Sequence, residues 1–251
     1  MKTIIKTKNL CKTYSCGGVQ QHVLKNIDLE IREGDFTVLM GPSGAGKSTL
    51  LYSISGMDKP TLGSITFCDE DITRKNPDRL ALFRRKHCGF VFQQTYLVDS
   101  MSIMDNVLSA AFLIDNDRKA AVAKAREILR SVDLDEQLWD KFPTQISGGE
   151  AQRAGIARAL INNPVMLFAD EPTGALNSKT GKDVLDELTK FNNDGQSIIM
   201  VTHDITSALR GNRILYLKDG EIAGELDLGR FNTDDRERHT LLRDFLGGMG
   251  W

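Results

Sequence analysis

The chain has 251 residues, enough for one large α/β domain or two small ones. With 41% hydrophobic and 26% charged residues it is an ordinary globular composition, which excludes a fibrous or low-complexity chain. A formal net charge of −2 leaves no whole-chain electrostatic footprint for nucleic acid, and no apolar run approaches the roughly 20 residues that span a bilayer.

The N-terminal Met-Lys-Thr-Ile-Ile-Lys-Thr-Lys has no apolar core long enough for a signal peptide. Cys11, Cys16, Cys68 and Cys88 form no paired C-x-x-C ligands, so reduced thiols are expected, with a Cys11–Cys16 disulfide left open. Val23, Ile27, Leu29 and Ile31 alternate with polar neighbours and predict half-buried antiparallel strands. Next, the apolar strand Phe36-Thr-Val-Leu-Met40 runs into Gly41-Pro42-Ser43-Gly44-Ala45-Gly46-Lys47-Ser48-Thr49, and a helical pattern begins near Lys47. Gly41, Gly46, Lys47 and Ser48 stand at the offsets of a P-loop. In such a loop the backbone N–H groups converge on a phosphate at a helix N-terminus. Lys47 then reaches the β- and γ-phosphates and Ser48 holds Mg²⁺.

Ile65-Thr-Phe67 and Gly89-Phe-Val-Phe92 predict further short strands, and the pattern is helical from about residue 95 to 163. There Ala121, Val122, Ala125, Ile128, Leu129 and Val132 form one stripe at helix spacing. Val165-Met-Leu-Phe-Ala169 and Ser197-Ile-Ile-Met-Val201 are continuous apolar runs, as buried parallel strands require. The first ends in Asp170-Glu171 and the second in Thr202-His203, where open α/β sheets bind ligands. A charged helix is expected near residues 233–246, with Leu241, Leu242, Phe245 and Leu246 on one side and Gly247 as its C-cap.

Strand side chains alternate in direction, so one carboxylate of the 170–171 pair can face a metal and the other a water. Asp170 is the candidate Mg²⁺ support, and Glu171 the candidate general base. Ser147-Gly148-Gly149 precedes a helix expected from near Glu150, which makes a second anion site. Two phosphate-binding elements in one chain make sense if two chains sandwich two nucleotides, each loop facing the other chain's Ser-Gly-Gly turn.

Ile146-Ser-Gly-Gly-Glu150 followed by Ala151-Gln152-Arg153 resembles the signature motif of ATP-binding cassette (ABC) ATPases. With the P-loop, the Phe-Ala-Asp-Glu-Pro run and Thr202-His203-Asp204, the resemblance covers nearly the whole chain. Gly89-Phe-Val-Phe-Gln93, Ser-Gly-Gly-Glu and Asp-Glu-Pro-Thr-Gly174 resemble the ATPase subunits of lipoprotein-release, macrolide-export and bacitracin-resistance exporters. The ending Gly248-Met-Gly-Trp251 is similar to the Gram-positive peptide-resistance branch. The resemblance implies a P-loop NTPase core with a mainly parallel sheet, an N-terminal antiparallel β subdomain and a helical subdomain. It also implies one nucleotide-binding domain over residues 1–251, the helical subdomain at about 95–163 and a helical tail at about 230–251.

By the same resemblance Tyr14 stacks on adenine, although an ordinary strand tyrosine fits the residues equally. Gln93 touches Mg²⁺ or water, with Gln94 one register step away, and His203 contacts the γ-phosphate. Catalysis would rest on Glu171, His203, Gln93 and Lys47, and the metal on Ser48, Gln93 and Asp170. Two features depart from the family pattern: Ile146 replaces the commoner Leu, and Asn177 stands where Asp is usual in a loop that meets the partner's P-loop. Asn keeps hydrogen-bonding capacity but loses a charge.

The expected cofactors are ATP and Mg²⁺, and the expected partners a second ATP-binding subunit, in a homodimer with a heterodimer left open, and FtsX-like permease chains, with no nucleic acid. Cargo would be amphiphilic, such as antimicrobial peptides or lipoproteins, and the chain would sit peripherally on the inner face of the membrane. Tyr96–Val98 and Ile103–Leu108 are the candidate permease contact, unless they are helical-subdomain core. Chromosome-type ABC ATPases insert a coiled coil between P-loop and signature. Here 100 residues separate Lys47 from Ser147, with no heptad run. A non-transporting ATPase that regulates a membrane partner shares every motif above and remains open, whereas the signature and histidine motifs disfavour a simple P-loop kinase.

Overall fold

The computed structural model describes residues 2–114, 117–233 and 235–251, with the side chains of Cys16 and Arg236 outside that description. Two compact units divide the chain, one of Met1–Ala81 with Asn192–Trp251 and one of Leu82–Phe191.

The first unit begins with β1 (Thr3–Cys16), β2 (Val19–Arg32), β3 (Phe36–Met40), α1 (Lys47–Ile54), β4 (Leu62–Phe67) and β5 (Glu70–Asp71). β1 and β2 form a long hairpin turned at Gly17-Gly18, both with positive φ. β4 pairs with the other edge of β1, and the antiparallel order is β2-β1-β4-β5. Ile27, Leu29 and Ile31 are buried as their alternation predicts, but Leu24 takes the inward position expected for Val23. Asn26 adopts φ 48° and the pairing register shifts between Leu10 and Lys12, so side-chain parity resets between residues 24 and 27.

α2 (Pro77–His87) leads from the first unit into β6 (Cys88–Phe92), α3 (Ile103–Ala111), α4 (Arg118–Ser131), α5 (Gly148–Leu160), β7 (Met166–Asp170) and α6 (Ser178–Asn193). β6 and β7 pair in parallel. Ala121, Ala125, Leu129 and Val132 of the expected stripe are buried, as is Trp139, which donates its indole N–H to the Leu134 carbonyl at 3.0 Å.

The chain re-enters the first unit through β8 (Ser197–Val201), α7 (Ile205–Ala208), β9 (Arg213–Lys218), β10 (Glu221–Asp227) and α8 (Arg236–Met249). β3 pairs in parallel with β8 on one side and β9 on the other. Every residue of β3 and β8 is buried, as expected of parallel strands covered on both faces.

α8 runs to Met249, and its C-cap is Gly250 at φ 79°, not Gly247. Leu242 and Leu246 are fully buried while Leu241 is 50% exposed, so the apolar side is narrower than the sequence pattern. The helix is fastened to its own unit by Arg238, whose guanidinium donates to the carbonyls of Leu209, Leu228, Gly229, Arg230 and Gly211. Trp251 closes the tail edge-on against Tyr216. Among the described side chains, Cys11, Cys68 and Cys88 form no disulfide; the Cys16 side chain lies outside the description. No described helix is long and apolar enough to cross a membrane.

Candidate functional site

The first unit carries the phosphate loop and the histidine. β3 delivers the chain to Gly41, where a Cβ would stand 2.0 Å from the Leu217 carbonyl oxygen, so only glycine passes. At the other end of the loop Gly46 has φ 100° and caps α1, with the Val23 carbonyl 2.9 Å from where its Cβ would be. Pro42, Ser43 and Gly44 form the exposed rim, and Ala45 is buried beneath them. The Lys47 ammonium reaches back over the loop and donates to the Gly41 and Pro42 carbonyls at 2.8 and 2.9 Å. No acidic residue stands in the first turn of α1, whose Ser48 and Thr49 are half-buried at the loop's foot. The positive end of that helix is therefore open to an anion.

Leu39 is level with Val201 across β3 and β8, so the segment after β8 emerges on the same edge as the P-loop. There Thr202 N–H donates to the Leu39 carbonyl, and the exposed His203 precedes Asp204, the N-cap of α7.

Tyr14 lies on β1, 42% exposed, with its hydroxyl donating to Asp58 at 2.6 Å. Burial and then the Asp58 carboxylate hold the phenol above its ordinary pKa. Asp58 itself is pushed up by burial, but the Lys12 and Tyr14 hydrogen bonds outweigh that and hold it below the usual value. Sequence reasoning missed Lys12 and Asp58, because a partner 44 residues away leaves no local signature.

The second unit carries the carboxylates, the glutamine and the signature turn. β7 ends at Asp170, so the strand-alternation argument does not reach Glu171. Glu171 is aimed instead by a left-handed backbone, φ 48°, unusual for a residue with a Cβ. Its carbonyl accepts from Gly174 N–H at 3.0 Å, closing a tight turn. A Cβ on Gly174 would lie 2.9 Å from Gln93 Nε2 and 3.3 Å from Glu171 Oε2, so those two side chains converge there.

The Gln93 segment is strapped by α5. Buried Gln152 donates to the Phe92 carbonyl at 2.9 Å, and Arg158 donates to the Thr95 and Tyr96 carbonyls at 2.6 Å each. Tyr96 and Val98 are 66% and 46% exposed, whereas Ile103, Val107 and Leu108 are buried core.

α5 begins at Gly148, two residues before the expected start, because Ser147 is its N-cap. The Ser147 hydroxyl accepts from Glu150 N–H, and the Glu150 carboxylate accepts from Ser147 N–H at 2.6 Å, a capping box. The Ser147 N–H holds the Glu150 carboxyl below its ordinary pKa. Gly149 is pressed against Thr180, and Gly148 faces Leu176. Asn177 accepts from Thr180 N–H at 3.0 Å and so caps α6, a task Asn and Asp perform equally well.

A family model described as ABC transporter matches residues 24–174. The ABC transporter ATP-binding protein MJ0796 of Methanocaldococcus jannaschii is 44% identical over 241 residues, covering 93% of this chain and 100% of that one. The bacitracin export ATP-binding protein BceA of Halalkalibacterium halodurans is 40% identical over 248 residues, 98% of this chain and 96% of BceA. The macrolide export ATP-binding/permease protein MacB of Wolinella succinogenes is 39% identical over 88% of this chain, which spans 34% of MacB. The solved dimer of MJ0796 in a post-hydrolysis state bound to ADP and Pi superposes with a TM-score of 0.84, at 42% identity over 91% of this chain and all of that one. These matches bear out the expected fold, and the chain belongs to the ABC transporter family as one of its ATP-binding cassettes.

Proposed function

We propose that this single cassette is the ATPase subunit of a membrane exporter. Two copies close around two ATP·Mg²⁺, and closure drives FtsX-like permease subunits that export or remove amphiphilic cargo such as antimicrobial peptides or lipoproteins. The match to BceA over 98% of this chain and 96% of BceA is the observation that carries this reading. As an ABC-type ATPase the protein converts ATP and water to ADP and phosphate.

Residues 41–49 cradle the phosphates and Lys47 neutralises the β- and γ-phosphate charge. Tyr14 stacks on the adenine. The Ser48 hydroxyl, the Gln93 side-chain oxygen and the Asp170 carboxylate are hard oxygen donors, which suits Mg²⁺. Those residues would hold Mg²⁺, whose charge would offset the negative charge of the phosphates. Glu171 takes a proton from the attacking water, held in place with Gln93. His203 of one copy and Ser147 and Gly149 of the other, with Asn177 lining the junction, stabilise the γ-phosphoryl group in the transition state. The exposed Tyr96 and Val98 are the surface we assign to the permease, which would hold the cassette at the inner face of the membrane.

The test is to recover tagged Glu171→Gln protein from mild-detergent membrane extracts with ATP. A co-purifying multi-span permease with a large extracellular domain is the expected result. Soluble partners alone, beside a confirmed ATP-bound dimer, overturn the exporter reading. If a permease co-purifies but the reconstituted complex moves no cargo, the cassette is a regulator of a membrane partner.

A further inference from the structure

The base platform and the phosphate loop are tied together by a pair of charged residues outside every motif above. Lys12 and Tyr14 are two apart on β1, and their side chains meet even though the pairing with β2 shifts register between Lys12 and Thr13. The Lys12 ammonium stands 4.7 Å from the centroid of the Tyr14 ring, over one of its faces. It also donates to Asp58 Oδ1 at 2.5 Å and to the Lys59 carbonyl at 2.7 Å. Asp58 Oδ2 accepts from the Tyr14 hydroxyl at 2.6 Å. One carboxylate therefore holds the ring at its hydroxyl and the cation beneath it.

Asp58 is itself placed by the P-loop helix. α1 starts at Lys47, and its last turn continues into Gly56, Met57 and Asp58. The N–H groups of Met57 and Asp58 both donate to the Tyr52 carbonyl, at 2.9 and 3.0 Å. Lys12 is buried and its carboxylate partner only partly exposed, so the pair is not a loose surface contact. The ammonium occupies one face of the ring and leaves the other for a planar ligand. Because Asp58 belongs to the α1 terminus, the position of that open face is referenced to the phosphate loop at the other end of the same helix.

We propose that Lys12 and Asp58 are positioning residues that fix the Tyr14 ring as a base platform at a set distance from the phosphate loop, so that they govern affinity for the nucleobase end of a nucleoside triphosphate and not for its phosphates. The inference rests on the reading of Tyr14 as the adenine-stacking residue. An oriented ring offers its face without first losing rotamer freedom, so loss of the tether appears as weaker binding and not as slower chemistry.

The experiment compares binding of ATP and of inorganic tripolyphosphate, each with Mg²⁺, to wild type, Tyr14→Ala, Asp58→Ala and Lys12→Met. Tripolyphosphate carries no base, so its affinity reports whether the phosphate loop is intact in each variant. Tyr14→Ala is expected to weaken ATP about tenfold, the scale of one base–aromatic stack. Asp58→Ala and Lys12→Met are expected to weaken ATP about three- to tenfold, with tripolyphosphate affinity and turnover at saturating ATP unchanged. If Tyr14→Ala leaves ATP affinity unchanged, the stacking reading itself fails. If Tyr14→Ala weakens ATP but both tether variants bind it like wild type, the positioning proposal alone is overturned. Equal loss of ATP and tripolyphosphate in the tether variants also overturns it, since the pair then serves only the fold of α1 and its loop.

Discussion

Gly149→Ala separates the packing role of the signature turn from its chemical role. Gly149 is the second residue of α5, so alanine meets no backbone penalty and gains about 1 kcal/mol of helix propensity. Against that, the new Cβ would lie 2.0 Å from Thr180 Cγ2, 3.5 Å from Thr180 Cβ and 3.9 Å from Arg153 Nη1. The Thr180 backbone is pinned by its bond to Asn177, and a β-branched side chain changes χ1 reluctantly. Overpacking of this kind costs about 1–3 kcal/mol, which leaves a net loss of about 0–2 kcal/mol once the roughly 1 kcal/mol of helix propensity is set against it. Thr180→Ser deletes the clashing methyl, and the next contact, 3.5 Å, is ordinary. A denaturant double-mutant cycle should therefore show a favourable coupling of about 1–2 kcal/mol. Steady-state ATPase should recover with stability in the double variant, because the new methyl points at residue 180 and the Gly149 N–H that would meet the partner's phosphate is unchanged. Coupling within about 0.5 kcal/mol of zero would refute the packing argument. Turnover that stays low after stability has recovered would show that more than the clash at Thr180 disturbs the turn.

Glu171→Gln is expected to bind ATP and accumulate closed dimer on size exclusion while turnover falls about 10²- to 10⁴-fold, the range of general-base catalysis; wild-type turnover would remove the base assignment. Lys47→Ala should weaken ATP by at least about tenfold, since a charge-assisted contact to phosphate is lost, and unchanged affinity would sink the P-loop reading. Gly174→Ala, with its Cβ 2.9 Å from the flexible end of Gln93, should lower kcat more than stability, and a large thermal shift with normal kcat would contradict it. Burial, then Asp133, hold the Glu187 carboxyl above its ordinary pKa despite Lys190, so the native state binds that proton more tightly than the unfolded chain. That contribution is fully present below about pH 4, the unfolded value, and is lost as pH rises through the native one. Glu187→Gln should accordingly stabilise at pH 7 and not at pH 4, read as urea midpoints; an equal difference at both would show that the proton is not involved.

Local backbone chemistry was legible and tertiary partnership was not. The P-loop could be read because its glycines answer to local demands: Gly41 passes a carbonyl that excludes any Cβ, and Gly46 adopts a left-handed cap. The fully buried β3 and β8 were readable as continuous apolar runs for the same kind of reason. The inward turn of Leu24 in place of Val23 depends on a left-handed Asn26 and a register shift against β1, which no alternation count registers. Gly247 failed as a helix stop because Met249 packs beside Gly224 and holds the last turn in place, leaving Gly250 to end it. The tether from Tyr14 to Asp58 crosses 44 residues of chain and was invisible for that reason.

The left-handed Glu171 shows how the second unit holds its half of the chemistry. A residue with a Cβ at φ 48° costs about 1–3 kcal/mol unless its surroundings enforce it. Here the enforcement is the 171–174 turn, closed by the Gly174 bond, with Gln93 laid across the space where Gly174 lacks a side chain. Gln93 in turn follows a carbonyl held by Gln152 of α5, the helix that Ser147 caps. The opposite end of the turn leads through Leu176 and Asn177 to Thr180, which touches Gly149. The residues assigned to one ATP and those assigned to the other thus form one closed circuit of contacts inside a single unit. A disturbance at the signature turn has short, packed routes to Glu171 on both sides. Contiguity alone does not establish energetic coupling, so the double variant at Gly149 and Thr180 also serves here. With packing restored, any remaining effect on ATP bound at the variant's own P-loop measures what travels around that circuit.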